Sequence, residues 1–176
     1  MKDIAIWDLD NCLSNDAWRL SKINWTTENM DDRYAAYHED CDRDAPGNLE
    51  IYAAMRLVRE PVFFTARPDA VRTKTRRWIN HHLGEAAPLI YMRGDRQNFS
   101  TVQLKRHMLV NFLNGVGRAI TATRICANSI VAFDDREDIV EMYCAAGIQA
   151  TQLKIHNVCA LTPPVAVLLP NIRVPS

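Results

Sequence analysis

Residues 4–10 read IAIWDLD, a short apolar run that ends in two aspartates, Asp8 and Asp10, separated by a single leucine. An apolar run of this length without polar alternation is typical of a strand that is buried on both faces of a parallel sheet. Runs of the same kind recur at 61–64, 88–92, 129–133 and 148–153. The sequence therefore predicts a sheet of about five strands.

Between these runs the apolar residues follow a helical spacing, around 51–58, 71–82, 102–113 and 139–146. Gly84 and Gly147 follow the second and fourth of these segments, where glycine commonly ends a helix in a left-handed conformation. A repeated order of strand and helix predicts an α/β fold. We expect a doubly wound, Rossmann-like parallel sheet with helices on both faces.

The segment 14–46 breaks this alternation because it is rich in polar and aromatic residues. We interpret it as a small helical cap insert after strand one, which leaves 1–13 and 47–160 as the core domain. Its large rings are interpreted as the core of the cap, with a base-stacking surface as the alternative; they are Trp18, Trp25, Tyr34 and Tyr37. Residues 161–176 hold too many prolines for a helix and are predicted to form an extended C-terminal tail.

The composition excludes several classes of protein. Among 176 residues, 21 Lys and Arg balance 21 Asp and Glu, so no overall charge attracts nucleic acid or an anionic membrane. The five cysteines form no CxxC pair, which argues against a disulfide framework and a zinc site. Asp8 and Asp10 interrupt the first apolar run, so it is neither a signal peptide nor a membrane anchor. These features predict a cytoplasmic protein with no membrane partner.

Polar residues follow the predicted strands, at the edge where open α/β sheets bind their ligands. Three strands end in pairs of such residues, and a lysine stands near the start of the helix after the third strand. They are Asp8 and Asp10, Thr65 and Arg67, Asp134 and Asp135, and Lys105. We expect all of them to meet above one edge of the sheet.

Four converging carboxylates would repel one another unless some were protonated or a cation lay among them. A hard, oxygen-binding ion such as Mg²⁺ is the natural choice, because it accepts carboxylates and keeps phosphate oxygens as further ligands. One carboxylate can then attack phosphorus. Asp10 lies two residues after Asp8, on the same face of an extended segment, so it can exchange protons with the leaving oxygen and with water.

Four motifs resemble those of the haloacid dehalogenase superfamily of phosphatases. IWDLDNCL resembles the first motif, FFTAR the second, Lys105 the third and AFDDREDIVEMY the fourth, over about residues 1–153. The part from 64 to 153 is most similar to the 3′-phosphatase domain of phage polynucleotide kinases and to related stand-alone phage phosphatases. That likeness rests on TARPDAVRTKTRRWINHHLG, LIYMRGDRQNFSTVQLK and VAFDDREDIVEMY.

The resemblance implies a role for each matching residue. Asp8 would be the nucleophile that forms an aspartyl-phosphate, Asp10 the general acid and base, and Lys105 the cation that holds the nucleophile and the phosphoryl oxygens. The expected phosphate- and substrate-binding residues are Thr65, Ala66, Arg67, Arg93 and Arg96. The expected Mg²⁺ ligands are Asp8, the backbone carbonyl of Asp10, Asp135 and, directly or indirectly, Asp134.

The sequence departs from the family pattern at Asn11 and Cys12, where glycine and threonine are usual. We interpret Cys12 as a small packing residue and not as a nucleophile. The basic residues of the second predicted helix are either a solvated face or a track for further phosphates of a nucleotide; they are Arg72, Lys74, Arg76 and Arg77.

Together these features predict a Mg²⁺-dependent phosphomonoesterase that acts on a small phosphorylated substrate, with a mononucleotide slightly preferred over a nucleic-acid 3′-phosphate end. The general acid at Asp10 favours phosphoryl chemistry over dehalogenation, because a halide leaves without a proton. The alternatives are a binding or regulatory module that has lost turnover and a phosphotransferase.

Overall fold

A computed structural model describes residues 3–94, 99–119 and 129–155. Its strands are β1 (Asp3–Trp7), β2 (Ser14–Asn15), β3 (Ala45–Pro46), β4 (Arg59–Pro68), β5 (Leu89–Arg93), β6 (Ile130–Asp134) and β7 (Gln149–Gln152). Its α-helices are α1 (Met30–Glu39), α2 (Leu49–Arg56), α3 (Arg72–Leu83), α4 (Thr101–Ala119) and α5 (Glu137–Ala145).

Five parallel strands form one sheet in the order β5-β4-β1-β6-β7. The chain moves from β1 through β4 to β5, and then returns to the other side of β1 to add β6 and β7. The direction of winding therefore changes between β1 and β6, and a change of this kind opens a crevice beyond the carboxyl ends of the strands. The predicted α/β fold, with its sheet of about five strands, is confirmed.

The sheet is covered on both faces, which explains why its strands read as continuous apolar runs. Helices α4 and α5 cover one face, where Phe112 and Tyr143 belong to a buried cluster that includes Ile6. Helices α2 and α3 cover the other face, where Trp78 belongs to a cluster that includes Trp7. Ile6 and Trp7 point to opposite faces because side chains alternate along a strand.

Glycine ends the helices where the sequence predicted it. Gly84 follows α3 with φ 71°, and its N–H donates to the carbonyl of Asn80 at 3.1 Å. Gly147 lies two residues after α5 with φ 78°. Both take the left-handed conformation that L-residues adopt with strain, so these two positions favour glycine.

The insert at 14–46 is mostly helical, as predicted. It holds the 3-10 helix Ala17–Lys22, helix α1 and the 3-10 helix Cys41–Arg43, and the antiparallel pair of β2 and β3 closes it at its base. That it acts as a unit separate from the core stays a prediction. The predicted tail at 161–176 lies outside the described residues.

The interpretation of the insert's rings as cap core is right for Tyr37 and wrong for Trp25. Tyr37 is 6% exposed, whereas Trp25 is 68% and Trp18 42% exposed. An insert of this size has too little interior to enclose four large rings. The exposed rings instead carry cations on their faces: Lys22 lies over Trp18 and Arg33 over Trp25.

Within the described ranges, no helix combines the length and the apolar character that crossing a bilayer requires.

Among the described residues, Cys12, Cys41 and Cys144 are free thiols. Cys12 is fully buried beneath the first strand's end, and burial followed by the charge of Asp8 raises the pKa of its thiol well above the ordinary value. It is therefore a packing residue, as the sequence suggested.

Candidate active site

The ends of β1 and β6 bring acidic residues together at the change in winding. Trp7 pairs with Phe133 in the sheet, and the N–H of Asp8 donates to the carbonyl of Phe133 at 2.9 Å. Asp8 therefore follows directly on the ordered end of β1, beside Asp134, the last residue of β6. The two carboxylates meet because both strands end at the same edge of the sheet.

Lys105 lies in the first turns of α4 and is 1% exposed. Its ammonium group donates to Oδ1 of Asp8 and to the carbonyl of Phe64, and it lies 3.2 Å from Oδ2 of Asp134. Burial alone would lower the pKa of Lys105, but Asp134 and Asp8 raise it above the ordinary value. Lys105 thus stays charged and fixes Asp8 in place.

Asp8, Asp134 and Asp135 form a cluster, which we call the carboxylate cluster. One oxygen from each lies within 4.8 Å of the others. Burial raises the pKa of Asp8 despite Lys105, and burial also raises the pKa of Asp135. Oδ2 of Asp134 is buried and accepts no hydrogen bond from the described residues, although it is ion-paired with Lys105. A set of three oxygen donors with excess negative charge fits a hard divalent cation such as Mg²⁺.

Asn11 supports this cluster through its side chain. Its amide Nδ2 donates to Oδ2 of Asp135 at 3.0 Å. Its backbone has φ 58°, a left-handed conformation that glycine or asparagine adopts most readily, which favours asparagine at this position. The sequence flagged Asn11 only as a departure, and its contact with Asp135 was not foreseen.

An open cavity of about 490 Å³ lies beside the carboxylate cluster and gives solvent access to Asp135. Its other lining residues are Asn11, Arg136, Glu137, Asp138, Glu141 and Lys154. A hydrated cation can therefore approach the cluster from this side.

Asp10 is held separately from the carboxylate cluster. Its Oδ1 accepts hydrogen bonds from Nη2 and Nε of Arg67 at 2.6 and 2.9 Å, from Nη2 of Arg19 at 2.9 Å and from Oγ of Ser14 at 3.1 Å. Burial alone would raise the pKa of Asp10, but Arg67 and Arg19 hold it well below its usual range. Two aspartates only two positions apart therefore lie in opposite electrostatic environments.

Asp44, from the end of the insert, joins both arginines. It is 1% exposed and accepts from Nε and Nη2 of Arg19 at 2.7 and 2.6 Å and from Nη2 of Arg67 at 3.1 Å. Asp10, Arg19, Asp44 and Arg67 form what we call the arginine cluster, which connects the insert to the sheet. The sequence pointed to Asp10 and Arg67 and missed Asp44.

Arg67 was expected to bind phosphate. Its Nε and Nη2 donate hydrogen bonds to Asp10, Ser14 and Asp44, while its Nη1 is buried without a hydrogen-bond partner among the described residues. The direct role of Arg67 is thus to orient Asp10, and a contact with substrate stays a prediction for Nη1.

The structure describes three of the four remaining predicted residues. Thr65 is fully buried, and its Oγ1 accepts from the N–H of Arg67 at 3.2 Å. Ala66 lies between them and packs against the core. Arg93 ends β5, is partly buried and donates to the carbonyl of Phe99 at 3.0 Å. Arg96 lies outside the described residues.

Three of the four basic residues named in α3 pair with acceptors of the same chain. Arg72 donates to Asp69 at 2.7 Å, Arg77 to Asp42 at 3.2 Å, and Lys74 to a backbone carbonyl in the insert. These pairings favour a solvated helix face over a track for phosphates.

We expect the arginine cluster to be the main interaction that holds the insert against the core. Arg19→Leu tests this. Removing one partner of a buried ionic network leaves carboxylates uncompensated, so we expect a loss of about 3 kcal/mol in the free energy of unfolding. Arg43→Leu, at a position with 69% side-chain exposure, is the matched control and should change stability little. Urea denaturation measures both, and equal stability of the two variants would contradict a structural role for the cluster.

No family model and no curated protein sequence matches this chain. Solved structures do match. The Pnkp1/Rnl/Hen1 RNA repair complex aligns with a TM-score of 0.60 and 15% identity over 89% of this chain and 44% of that chain. A Clostridium difficile protein assigned as a phosphatase aligns with a TM-score of 0.57 and 12% identity over 85% and 83%. CbbY from Rhodobacter sphaeroides, bound to phosphate, aligns with a TM-score of 0.50 and 14% identity over 85% of each chain.

At these identities the likeness defines the fold: a parallel α/β sheet with its polar residues at the carboxyl edge. More particularly, the chain shares this fold with the protein assigned as a phosphatase and with CbbY over most of the length of each, which is consistent with the resemblance of its four motifs to the haloacid dehalogenase superfamily. It spans less than half of the length of the matching chain in the Pnkp1/Rnl/Hen1 complex.

Proposed function

We propose that this protein is a Mg²⁺-dependent phosphomonoesterase that works through an aspartyl-phosphate on Asp8. The observation that supports this most strongly is the separation of Asp8 and Asp10 into two environments. Asp8 lies against Lys105 in the carboxylate cluster, whereas Asp10 is held by Arg19 and Arg67. Two carboxylates with opposed environments are suited to divide nucleophilic and proton-transfer roles between them.

In the first step, the carboxylate of Asp8 attacks phosphorus, and the bond between phosphorus and the ester oxygen breaks. Lys105 orients Asp8 and offsets the charge that builds on the phosphoryl oxygens. Thr65, buried beside them, supplies a hydroxyl to the same group. Magnesium held by Asp8, Asp134, Asp135 and the backbone carbonyl of Asp10 would neutralise phosphate charge when bound.

Asp10 carries the proton in both steps. The arginines lower the pKa of Asp10 and keep it ionised before substrate binds. The negative charge of an incoming phosphate raises the pKa of Asp10 and so favours its protonation. Protonated Asp10 gives its proton to the leaving oxygen. The resulting carboxylate then accepts a proton from the water that attacks the aspartyl-phosphate, which returns Asp8 to its starting state.

We propose a nucleotide as the substrate, with a mononucleotide slightly preferred over a nucleic-acid 3′-phosphate end. The neutral net charge and the internal pairing of the α3 cations favour a small substrate. The alignment with a component of an RNA repair complex supports a nucleic-acid 3′-phosphate end as the second candidate substrate.

The test is a panel of nucleoside 5′-monophosphates, nucleoside 3′-monophosphates and a 3′-phosphorylated oligonucleotide, assayed for phosphate release with Mg²⁺. Release from at least one, abolished by a metal chelator, is the expected result. A polymer substrate would lose affinity steeply as salt rises, whereas a mononucleotide would lose less. No release from any member would contradict the proposal.

Asn11→Gly should weaken Mg²⁺ binding without disturbing the backbone. Glycine accepts the left-handed conformation but lacks the amide that orients Asp135, and loss of such a supporting contact typically costs 10–100-fold in metal affinity. The Mg²⁺ concentration that gives half-maximal thermal stabilisation measures the effect. Asn48→Gly, at the other left-handed asparagine, is the matched control and should leave that concentration unchanged. Equal Mg²⁺ requirements for both variants would refute this role of Asn11.

A further inference from the structure

We propose that residues 152–155, which we call the strap, hold the carboxylate cluster in the geometry that Mg²⁺ requires. Gln152 and Ile155 are its positioning residues: they act on the metal ligands through hydrogen bonds to the backbone. This inference rests on the proposed function and adds positioning residues to its metal site.

The strap begins at the last residue of β7 and runs toward the loop that follows β1. Gln152 pairs with Asp134 in the sheet, and the N–H of Leu153 donates to the carbonyl of Asp134 at 2.9 Å. Two residues further on, the N–H of Ile155 donates to the carbonyl of Asn11 at 2.9 Å. The strap therefore joins the end of β6 to the loop after β1, the two places that supply the carboxylate cluster.

Asp135 is held from two directions in this arrangement. Nε2 of Gln152 donates to the backbone carbonyl of Asp135 at 2.9 Å, whereas Nδ2 of Asn11 donates to its carboxylate at 3.0 Å. Asp135 lies one residue beyond the end of β6 and lines the open cavity, where water competes for its polar groups. Its orientation as a metal ligand therefore depends on Gln152 and Asn11.

Asn11 is in turn held by Ile155. The N–H of Asn11 donates to the carbonyl of Ser14 at 2.8 Å, and its own carbonyl accepts the bond from Ile155. The first bond lies within the turn, whereas the second attaches the turn to the strap. Loss of the second bond would let the turn shift and carry the amide of Asn11 away from Asp135.

The side chain of Ile155 fixes the strap at the base of the insert. Gly47 directly follows β3, and its N–H donates to the carbonyl of Leu13 at 2.7 Å. A methyl group on Gly47 would lie 2.6 Å from Cγ1 of Ile155, well inside van der Waals contact, so Ile155 lies directly against the glycine backbone. Ile155 thus binds Asn11 through its backbone and packs on the insert through its side chain.

The experiment measures the Mg²⁺ concentration that gives half-maximal thermal stabilisation, together with the melting temperature without metal. Gln152→Leu removes the bond to the carbonyl of Asp135. It should raise that concentration by about tenfold, because contacts that orient metal ligands commonly contribute about 10–100-fold to affinity. Gln149→Leu makes the same change at the exposed first residue of β7. It is the matched control and should keep the wild-type concentration.

Ile155→Pro tests the bond to Asn11, since proline has no N–H to donate. It should raise the half-maximal Mg²⁺ concentration by at least about tenfold. Ile155→Val keeps the N–H and a branched apolar side chain, so it should behave like the wild type. If Ile155→Pro does not fold, the comparison of Gln152→Leu with Gln149→Leu decides, because both glutamines are exposed.

Unchanged Mg²⁺ requirements in Gln152→Leu and Ile155→Pro would overturn this inference and leave the phosphatase intact. A lower melting temperature without metal would not rescue it, because that result alone marks a strap that only stabilises the fold. An equal rise in the Mg²⁺ requirement of Gln149→Leu would overturn it as well. A wild type that Mg²⁺ does not stabilise and that releases no phosphate contradicts the proposed function, and this inference with it.

Discussion

Asp8→Asn is expected to lower phosphate release by at least about 10⁴-fold, the largest effect of any single change in this protein. The amide keeps the shape of the carboxylate but is a poor nucleophile, so the covalent step is lost. Lys105 keeps its ion pair with Asp134 and its contact with Phe64, so the fold should survive. Single-turnover phosphate release with excess enzyme measures the effect.

Asp3→Asn is the matched control because it makes the same chemical change on the same strand. Asp3 has 51% side-chain exposure and lies at the far end of β1 from the site. It should retain nearly all of the activity. Comparable activity in Asp3→Asn and Asp8→Asn would mean that Asp8 is not the nucleophile.

Asp10→Asn should produce the second largest loss, and its size should depend on the leaving group. A nucleotide leaves as a basic alkoxide that needs a proton, so we expect a decrease of about 10²–10⁴-fold. p-Nitrophenolate leaves without that assistance, so the first step on p-nitrophenyl phosphate should be affected much less. The ratio of kcat/KM for the two esters is the measurement.

Asp44→Asn distinguishes between two causes of lost activity in Asp10→Asn: the loss of proton transfer and the disruption of the arginine cluster. Asp44 contacts the same two arginines as Asp10 but has no proposed part in proton transfer. Its substitution should lower activity on both esters by the same factor. A leaving-group dependence in Asp44→Asn as large as that in Asp10→Asn would contradict the assignment of Asp10 as the general acid.

The parts of the site that could be predicted from the sequence are those placed by the sheet. Asp8, Thr65 and Asp134 stand at or next to the ends of apolar runs, and parallel strands bring their carboxyl ends to one edge regardless of detail. Lys105 was predictable because it precedes Met108 and Leu109 by three and four positions, on the apolar stripe of α4. Secondary structure alone fixes these positions.

The parts that could not be predicted come from the insert. Arg19 and Asp44 are separated from Asp10 by segments whose path depends on tertiary contacts, and nothing in their spacing marks them among the insert's other charged residues. Asp44 is one of several acids there, and only its burial between two arginines distinguishes it. The same dependence on tertiary contacts explains why Trp25 was wrongly assigned to an interior.

The separate roles of the two aspartates depend on one covalent intermediate, and trapping it tests them most directly. Wild-type protein turning over a nucleotide with Mg²⁺ is quenched in acid, which preserves acyl phosphates, and its peptides are examined by mass spectrometry. We predict phosphate on the peptide that contains Asp8, lost on treatment with alkali and missing in Asp8→Asn. Phosphate carried by any other residue would contradict the account, as would phosphate that still forms on this peptide in Asp8→Asn.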